Sequence, residues 1–292
     1  MTTKPAQIPL VSIGILTHKR PKAVERALES ARDQDWPNLE IVLVDSASND
    51  GTRELVQARF PEVKYIQLPR NLGCAAGRNH LFANCRGDLI LCVDDDGYLG
   101  AGAVRTVVEA FATDDRIAVV AMRQCFTDEQ GGRIEGENLS PYRDVGCFSG
   151  GVCALRREAL ESVGYYPDDF FLFGEESYLS LKLLDAGYRI VSEPRAIMWH
   201  PRIGSSSDNR HDYYRFRNPL LLATRLYPRP HVPKYLIGRL GSYFYLSIKR
   251  RSFGSFLRAA ASALIALPTD LRNPDRVCAA ALRRHRDLSA AR

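Results

Sequence analysis

Nowhere in this sequence do eighteen apolar residues run together, so no stretch has the length of a membrane-spanning helix. Met1 to Leu10 holds one lysine and no apolar run of signal-peptide length, and the expectation is a cytoplasmic chain. There is no CxxC pair. The seven cysteines (Cys74, Cys85, Cys92, Cys125, Cys147, Cys153, Cys278) are odd in number and widely spaced, which argues against a disulfide framework or a zinc site and for small buried thiols. Neither GxGxxG nor GxxxxGK[ST] occurs, which counts against dinucleotide and P-loop phosphate cradles.

What is present suffices for a full α/β core: 45% of the 292 residues are hydrophobic, and disorder is not the default reading. The net charge of +6 is unevenly placed. Arg229 to Arg292 carries 13 Lys+Arg against 3 Asp+Glu, leaving 27 against 31 in the first 228 residues. A basic tail of this kind suits an anionic membrane surface, a phosphate-bearing acceptor or nucleic acid.

The first half alternates strand and helix signals. Val11 to Thr17 (VSIGILT), Glu40 to Asp45 (EIVLVD), Val63 to Leu68 and Asp88 to Asp95 (DLILCVDD) read as strands. Between them, Val24, Ala27, Leu28 and Ala31 mark one helix, Asn49-Asp50-Gly51-Thr52 opens a second, and Ala75 to Ala83 forms a third. This rhythm predicts parallel pairing through right-handed crossovers, with ligands outside the carboxyl ends of the strands. Thr17, Asp45 and Asp94-Asp95-Asp96 stand at those ends. Further on come Gly150-Gly151, a helix from about Arg156, a helix carrying Glu175 and Glu176, and a strand from Arg189 to Trp199 that ends at His200. After the linker-like Ser205-Ser206-Ser207 the chain reads as helical to its end.

Three adjacent aspartates after the apolar LILCV repel one another and cannot be buried unpaired, so a cation is their natural partner. An oxygen site of this kind favours Mg²⁺ or Mn²⁺ beside a diphosphate. An isolated DDD in a loop is more often a solvated, helix-capping turn; the apolar strand before it and the other polar strand ends favour function here.

At this point the sequence resembles the inverting family 2 glycosyltransferases of the GT-A fold, over about Val11 to Ile203. The pieces come in the family's order: ILTHKR, VDSASNDGT, NLGCAAGRN, DDD, SGGVCALRREAL and FFLFGEESYLSLKLLDAGYRI. The resemblance implies a GT-A nucleotide-diphospho-sugar transferase fold, a Rossmann-like, mostly parallel sheet flanked by helices, with a C-terminal helical extension. It implies a catalytic domain over 1–205 (nucleotide-sugar binding about 8–123, acceptor side about 124–205) and a basic extension over 206–292. Thr17 and Asp45 would hold the nucleotide, Asp45 accepting the N3–H of a uracil or thymine ring. Asn71, Gly73 and Arg78 would lie along the nucleotide and pyrophosphate, Asp94 on the ribose side, Asp95 within the cluster, and Asp96 on the metal with Asp94. Singly, Asn71, Gly73 and Arg78 would pass for a turn asparagine, a loop glycine and a surface arginine.

Glu175 and Glu176 stand where the family usually has Glu-Asp; Glu176 matches the catalytic base, with Glu175 as runner-up, and an ordinary acidic first turn of a helix is the plain alternative. His200 resembles a histidine that reaches the metal or diphosphate, against a packed loop residue. The implied activity is metal-dependent, inverting transfer from a UDP- or dTDP-sugar to a hydroxyl of a glycan or lipid-linked acceptor in cell-envelope polysaccharide synthesis. A nucleotidyltransferase and a non-catalytic nucleotide- or glycan-binding module are the alternatives. Nucleic acid is not an expected partner, and a homo-oligomeric state is left open. The amphipathic segments around Leu236, Leu240, Tyr243 and Phe244, and from Phe253 to Leu267, leave two readings of the tail: peripheral docking at the inner face of the plasma membrane, or packing on protein.

Overall fold

The run VSIGILT folds as β1 (Val11–Thr17), in which every residue but Leu16 is buried, as a strand covered on both faces requires. The computed structural model describes residues 8–127, 133–134, 142–201, 209–273 and 275–290. After β1 come α1 (Pro21–Arg32), β2 (Leu39–Asp45), α2 (Thr52–Arg59), β3 (Lys64–Gln67), α3 (Gly73–Asn84), β4 (Leu89–Asp94), β5 (Tyr98–Leu99) and α4 (Ala103–Phe111). Then follow β6 (Ile117–Thr127), β7 (Arg133–Ile134), β8 (Arg143–Asp144), β9 (Val152–Arg156), α5 (Arg157–Val163), α6 (Glu175–Asp185) and β10 (Arg189–Pro201). Four longer helices complete the described chain: α7 (Asn209–Leu226), α8 (Val232–Lys249), α9 (Phe253–Asp270) and α10 (Ala279–Ala290).

The strands form one sheet in the order β3-β2-β1-β4-β9-β6-β10-β5, with β7 on β6 and β8 on β10. β1 to β4 pair in parallel, as do β6 and β10, but β9 lies antiparallel between β4 and β6. The sequence reading missed β9. Four of its five residues are buried, so it shows no alternation, and it passes straight into α5. β10 runs two residues beyond Trp199, so His200 is a strand residue paired with Phe126 rather than one that follows the strand.

Alternation along the strands feeds two cores. On β2, Ile41 and Leu43 join α1, whose Val24, Ala27, Leu28 and Ala31 are all buried, and α4 on one face; Val42 and Val44 join the other. That second core does not stop at the expected boundary between 205 and 206. Phe216 and Leu220 of α7, Tyr243 of α8, Phe256 and Ala259 of α9 and Ala281 of α10 belong to it together with Val42, Phe82 and Leu181. The C-terminal helices thus pack on the sheet domain through their inner faces. The expected linker Ser205-Ser206-Ser207 lies outside the described residues.

Among the described residues no helix is long and apolar enough to cross a membrane. All seven cysteines are free; Cys85, Cys92, Cys125 and Cys153 are buried, Cys74 and Cys147 half-buried, and Cys278 exposed.

Candidate active site

β1, β2 and β4 end together, Thr17 opposite Asp45 and Leu16 opposite Asp94, so their polar termini reach one edge of the sheet. A cleft of about 400 Å³ opens there, lined by Thr17, Arg20, Asn71, Gly73, Arg78, Asp94, Asp95, Asp96, Phe171 and His200 among others.

The three aspartates take different partners. Asp94 Oδ1 accepts from Arg78 Nη2 at 3.0 Å. Asp95, buried, accepts from Thr17 Oγ1 at 2.8 Å and from Arg20 Nη1 at 3.0 Å; burial pushes its carboxyl up against the opposing pull of Arg20 and Thr17. Asp96 meets the same Arg20 nitrogen at 2.6 Å and His200 Nε2 at 2.8 Å. Burial works against the charged form of Asp96 too, but the hydrogen bond and charge of His200 and the charge of Arg20 prevail and hold it below the usual carboxylate range. Sequence reasoning passed over Arg20 although ILTHKR contains it, because nothing local shows that its side chain reaches an acid 75 residues away.

Asp94, Asp96 and His200 offer one ligand atom each, all within 4.8 Å of one another. Two carboxylates and an imidazole form a donor set that fits a divalent cation. His200 Nδ1 lies 2.8 Å from the Pro201 carbonyl and donates there, while Nε2–H donates to Asp96; loss of the Nε2 proton would free that lone pair for a cation. The backbone makes room for these groups. A Cβ on Gly151 would overlap the Asp94 carboxylate, and one on Gly150 would lie 2.8 Å from Arg78 Nη1 and 2.9 Å from Glu176 Oε1. Glycines at 150 and 151 thus let the chain entering β9 pass this close to the acids.

Asn71 Oδ1 accepts the Gly73 N–H at 2.9 Å and so forms the turn into α3. Gly73 itself has φ +80°, and a side chain there would run into the Phe171 carbonyl. Asp45 sits differently from the expectation. Its side chain is fully buried and does not line the cleft: Oδ1 accepts the Ser48 N–H at 2.8 Å and Oδ2 the Tyr65 hydroxyl at 2.5 Å.

Arg78 joins the acids to the glutamate pair. Its Nη1 stands 3.6 Å from Glu175 Oε1 while Nη2 holds Asp94. Glu175 is buried, its Oε2 has no hydrogen-bond partner, and burial, with the charge of Glu176 added, pushes its carboxyl up to about 8 despite Arg78. Glu176 is half-buried and accepts the Gly150 N–H at 3.2 Å. Both open α6 after Phe173 (φ +67°) and Gly174 (φ +91°). Asn218 of α7, also buried, holds this turn by donating to the carbonyls of Leu172 and Phe173 at 2.8 and 2.7 Å. A residue of the expected extension thus positions the glutamates.

Because the folded state raises the affinity of Glu175 for its proton, this group favours folding fully below the unfolded pKa near 4.5, and the contribution is lost as pH rises toward about 8. Glu175→Gln removes the titration. Urea midpoints of parent and variant at pH 5, 7 and 9 should show the parent losing ground to the variant as pH rises; parallel curves would mean that Glu175 does not hold its proton.

The sequence model described as "Glycosyl transferase family 2" matches residues 12–164, from the second residue of β1 through α5, with all three aspartates. The chain belongs to glycosyl transferase family 2. Its relatives include poly-beta-1,6-N-acetyl-D-glucosamine synthase of Staphylococcus epidermidis, 22% identical over 208 residues that make up 66% of this chain and 50% of that protein. Chondroitin synthase of Escherichia coli is 31% identical over 50% of this chain and 22% of its own length, and the succinoglycan biosynthesis protein ExoO of Rhizobium meliloti 28% identical over 69% and 63%. The chain thus spans half the length of the first of these family 2 relatives and less than a quarter of the second. Among solved structures, S. aureus TarS 1–349 with UDP-GlcNAc aligns over 90% of this chain and 82% of its own, at TM-score 0.64 and 18% identity. Mannosyltransferase PcManGT from Pyrobaculum calidifontis, solved with GDP-Man and Mn²⁺, aligns over 99% and 85%, at TM-score 0.60 and 20% identity. The family 2 chain has the GT-A fold.

Proposed function

We propose that this chain transfers a sugar, with inversion, from a UDP- or dTDP-sugar to a hydroxyl of a glycan or lipid-linked acceptor in cell-envelope polysaccharide synthesis. The observation that carries the reading is that Arg78 bridges the Asp94–Asp96–His200 group to the Glu175–Glu176 pair, so that a leaving-group site and a base stand within one side chain's reach. The solved neighbours' nucleotide-sugars lend support at the level of donor class.

In the proposed step, Glu176 takes the proton of the acceptor hydroxyl as its oxygen bonds to the anomeric carbon. The bond from that carbon to the diphosphate oxygen breaks on the opposite face, and the nucleoside diphosphate leaves with the electron pair. Glu175, carrying its own proton near neutral pH, does not compete as acceptor. Arg20 and Arg78 bring positive charge to the cleft, and Thr17 keeps Asp95 turned toward Arg20. The chemistry that Mn²⁺ or Mg²⁺ held by Asp94, Asp96 and His200 would supply is charge neutralisation on the departing diphosphate. Recognition of a uracil or thymine ring by Asp45 would require its buried carboxylate, now held by Ser48 and Tyr65, to open to the cleft.

The test is a panel of UDP-, dTDP-, GDP- and CMP-sugars with Mn²⁺ and a glycan acceptor. Nucleoside diphosphate released from a uridine or thymidine donor is expected. Release of pyrophosphate would point to a nucleotidyltransferase, binding without product to a non-catalytic module, and preference for a GDP-sugar would overturn the role of Asp45.

A further inference from the structure

The inner faces of α8 and α9 are spent on the core, through Tyr243 and Ser247 on one and Phe256, Ala259 and Ala263 on the other. Their outer faces are also apolar. On α8, Ile237, Phe244, Tyr245 and Ile248 are exposed at helical spacing i, i+7, i+8 and i+11, and on α9 so are Phe253, Leu257, Leu264 and Ile265. Exposure reaches 74% at Ile237, 70% at Tyr245 and 80% at Ile265, which is far from the margin of a buried contact. The two stripes meet at the turn, where the rings of Phe244 and Phe253 lie 5.9 Å apart, and so form one surface. Single exposed apolar residues are ordinary, but a continuous patch rimmed by polar groups marks a docking surface.

Charge decides what docks. From Arg229 to Thr269 the sequence holds seven Lys+Arg and no Asp or Glu. Lys249 and Arg251 are exposed at the turn between the stripes, and Lys234, Arg239 and Arg258 are exposed along the helices. A symmetric pair of such hairpins would set cation against cation. A lipid surface carrying phosphate charge attracts the same cations and receives the apolar stripes below its headgroups, the arrangement of a helix that lies in the membrane interface. We infer that the α8–α9 hairpin docks this protein on an anionic lipid bilayer.

The hairpin also has a fixed relation to the cleft. Arg250 at the turn pairs with Asp212 at 3.1 Å, and the Arg258 guanidinium lies 5.7 Å from the ring centre of Tyr213. The next residue of α7, Tyr214, stacks at 5.2 Å on Phe171, which lines both the donor cleft and a second groove of about 520 Å³ formed with Arg70, His80 and Asp168. A docked hairpin is thereby joined through α7 to the wall of this groove, where a lipid-linked acceptor would enter. That consequence rests on the transfer reading above; the docking does not.

The experiment is co-sedimentation of the full chain with vesicles of phosphatidylcholine alone and of phosphatidylcholine with phosphatidylglycerol, at low and high salt. The parent should prefer the phosphatidylglycerol vesicles and lose that preference in salt. Lys249→Glu with Arg251→Glu should weaken partitioning by about 30-fold or more, since each basic residue near such a surface contributes about five-fold. Ile237→Ser with Tyr245→Ser and Ile265→Ser should weaken it at every salt concentration, and these exposed positions leave thermal unfolding unchanged. Equal binding to both vesicle types, or variants that bind as the parent does, would overturn the inference. So would a parent that dimerises through the hairpin, seen as a sedimentation shift abolished by the serine variant, without binding vesicles. Donor turnover is read in parallel without vesicles: a parent that binds lipid yet turns over no donor breaks the transfer reading and leaves docking standing.

Discussion

Glu176→Gln should lower turnover by about 10²–10⁴-fold, the usual contribution of a positioned general base, while leaving donor affinity nearly unchanged. The change keeps the side chain's length and the carbonyl oxygen that accepts the Gly150 N–H, so the turn before α6 need not move. What goes is the basicity of the carboxylate that takes the acceptor proton. The proposed donor partners, Arg78 and the aspartates, lie in the cleft lining, whereas Glu176 does not. The measurement is steady-state transfer together with nucleotide-sugar binding by calorimetry. If Glu176 merely complements the helix dipole, the same change costs about 0.3–1 kcal/mol of stability and spares turnover. Glu176→Asp adds a test of reach: measurable activity is expected if only the distance to the acceptor changes. A dead Glu175→Gln beside an active Glu176→Gln would move the base back one residue, onto a carboxyl that burial already holds protonated to about pH 8.

Much of this site was legible in sequence because its determinants are local. Alternating strands and helices place Thr17, Asp45 and Asp94 at one edge whatever the details of packing, and the order of short motifs identifies the family. His200, Asp94 and Asp96 do converge, as the resemblance implied. The features that escaped depend on contacts distant in sequence. Tyr65 occupies Asp45 from the neighbouring strand, and Arg20 crosses to the aspartates from beyond β1. Asn218 reads as one polar residue in an ordinary helix until α7 is seen against the turn at Leu172 and Phe173. The need for glycine at 150 and 151 becomes visible only when β9 runs antiparallel to β4, and a five-residue strand without alternation gives no sign that it will. The two readings of the tail are both partly written in its helices. Leu236, Leu240, Tyr243 and Ser247 turn inward, while Phe244 and Ile248, one position on, turn out.

Asp96→Asn should abolish metal-dependent turnover and leave the fold intact. Asp96 is the acid that both His200, at 2.8 Å, and Arg20, at 2.6 Å, approach, so it is the proposed ligand whose charge matters most to the group. The amide keeps the volume and one acceptor oxygen, which lets the strand end persist. It removes the negative charge that draws a divalent ion between Asp94 and His200. Changes to groups that only orient a metal's ligands cost 10–100-fold in affinity, so loss of a ligand's charge should cost at least about 100-fold. Binding is readable without catalysis. Mn²⁺ at a hundred times its dissociation constant should stabilise the parent by about 2.7 kcal/mol, and at the same concentration should stabilise Asp96→Asn by well under half of that. Glu176→Gln, inactive but with all three ligands in place, should respond to Mn²⁺ as the parent does. His200→Asp turns the donor set into oxygen alone and should move preference from Mn²⁺ toward Mg²⁺. A parent whose melting ignores Mn²⁺ and whose turnover survives chelator would leave Arg20 and Arg78 as the cations facing the leaving group, and Asp96 as their counter-ion.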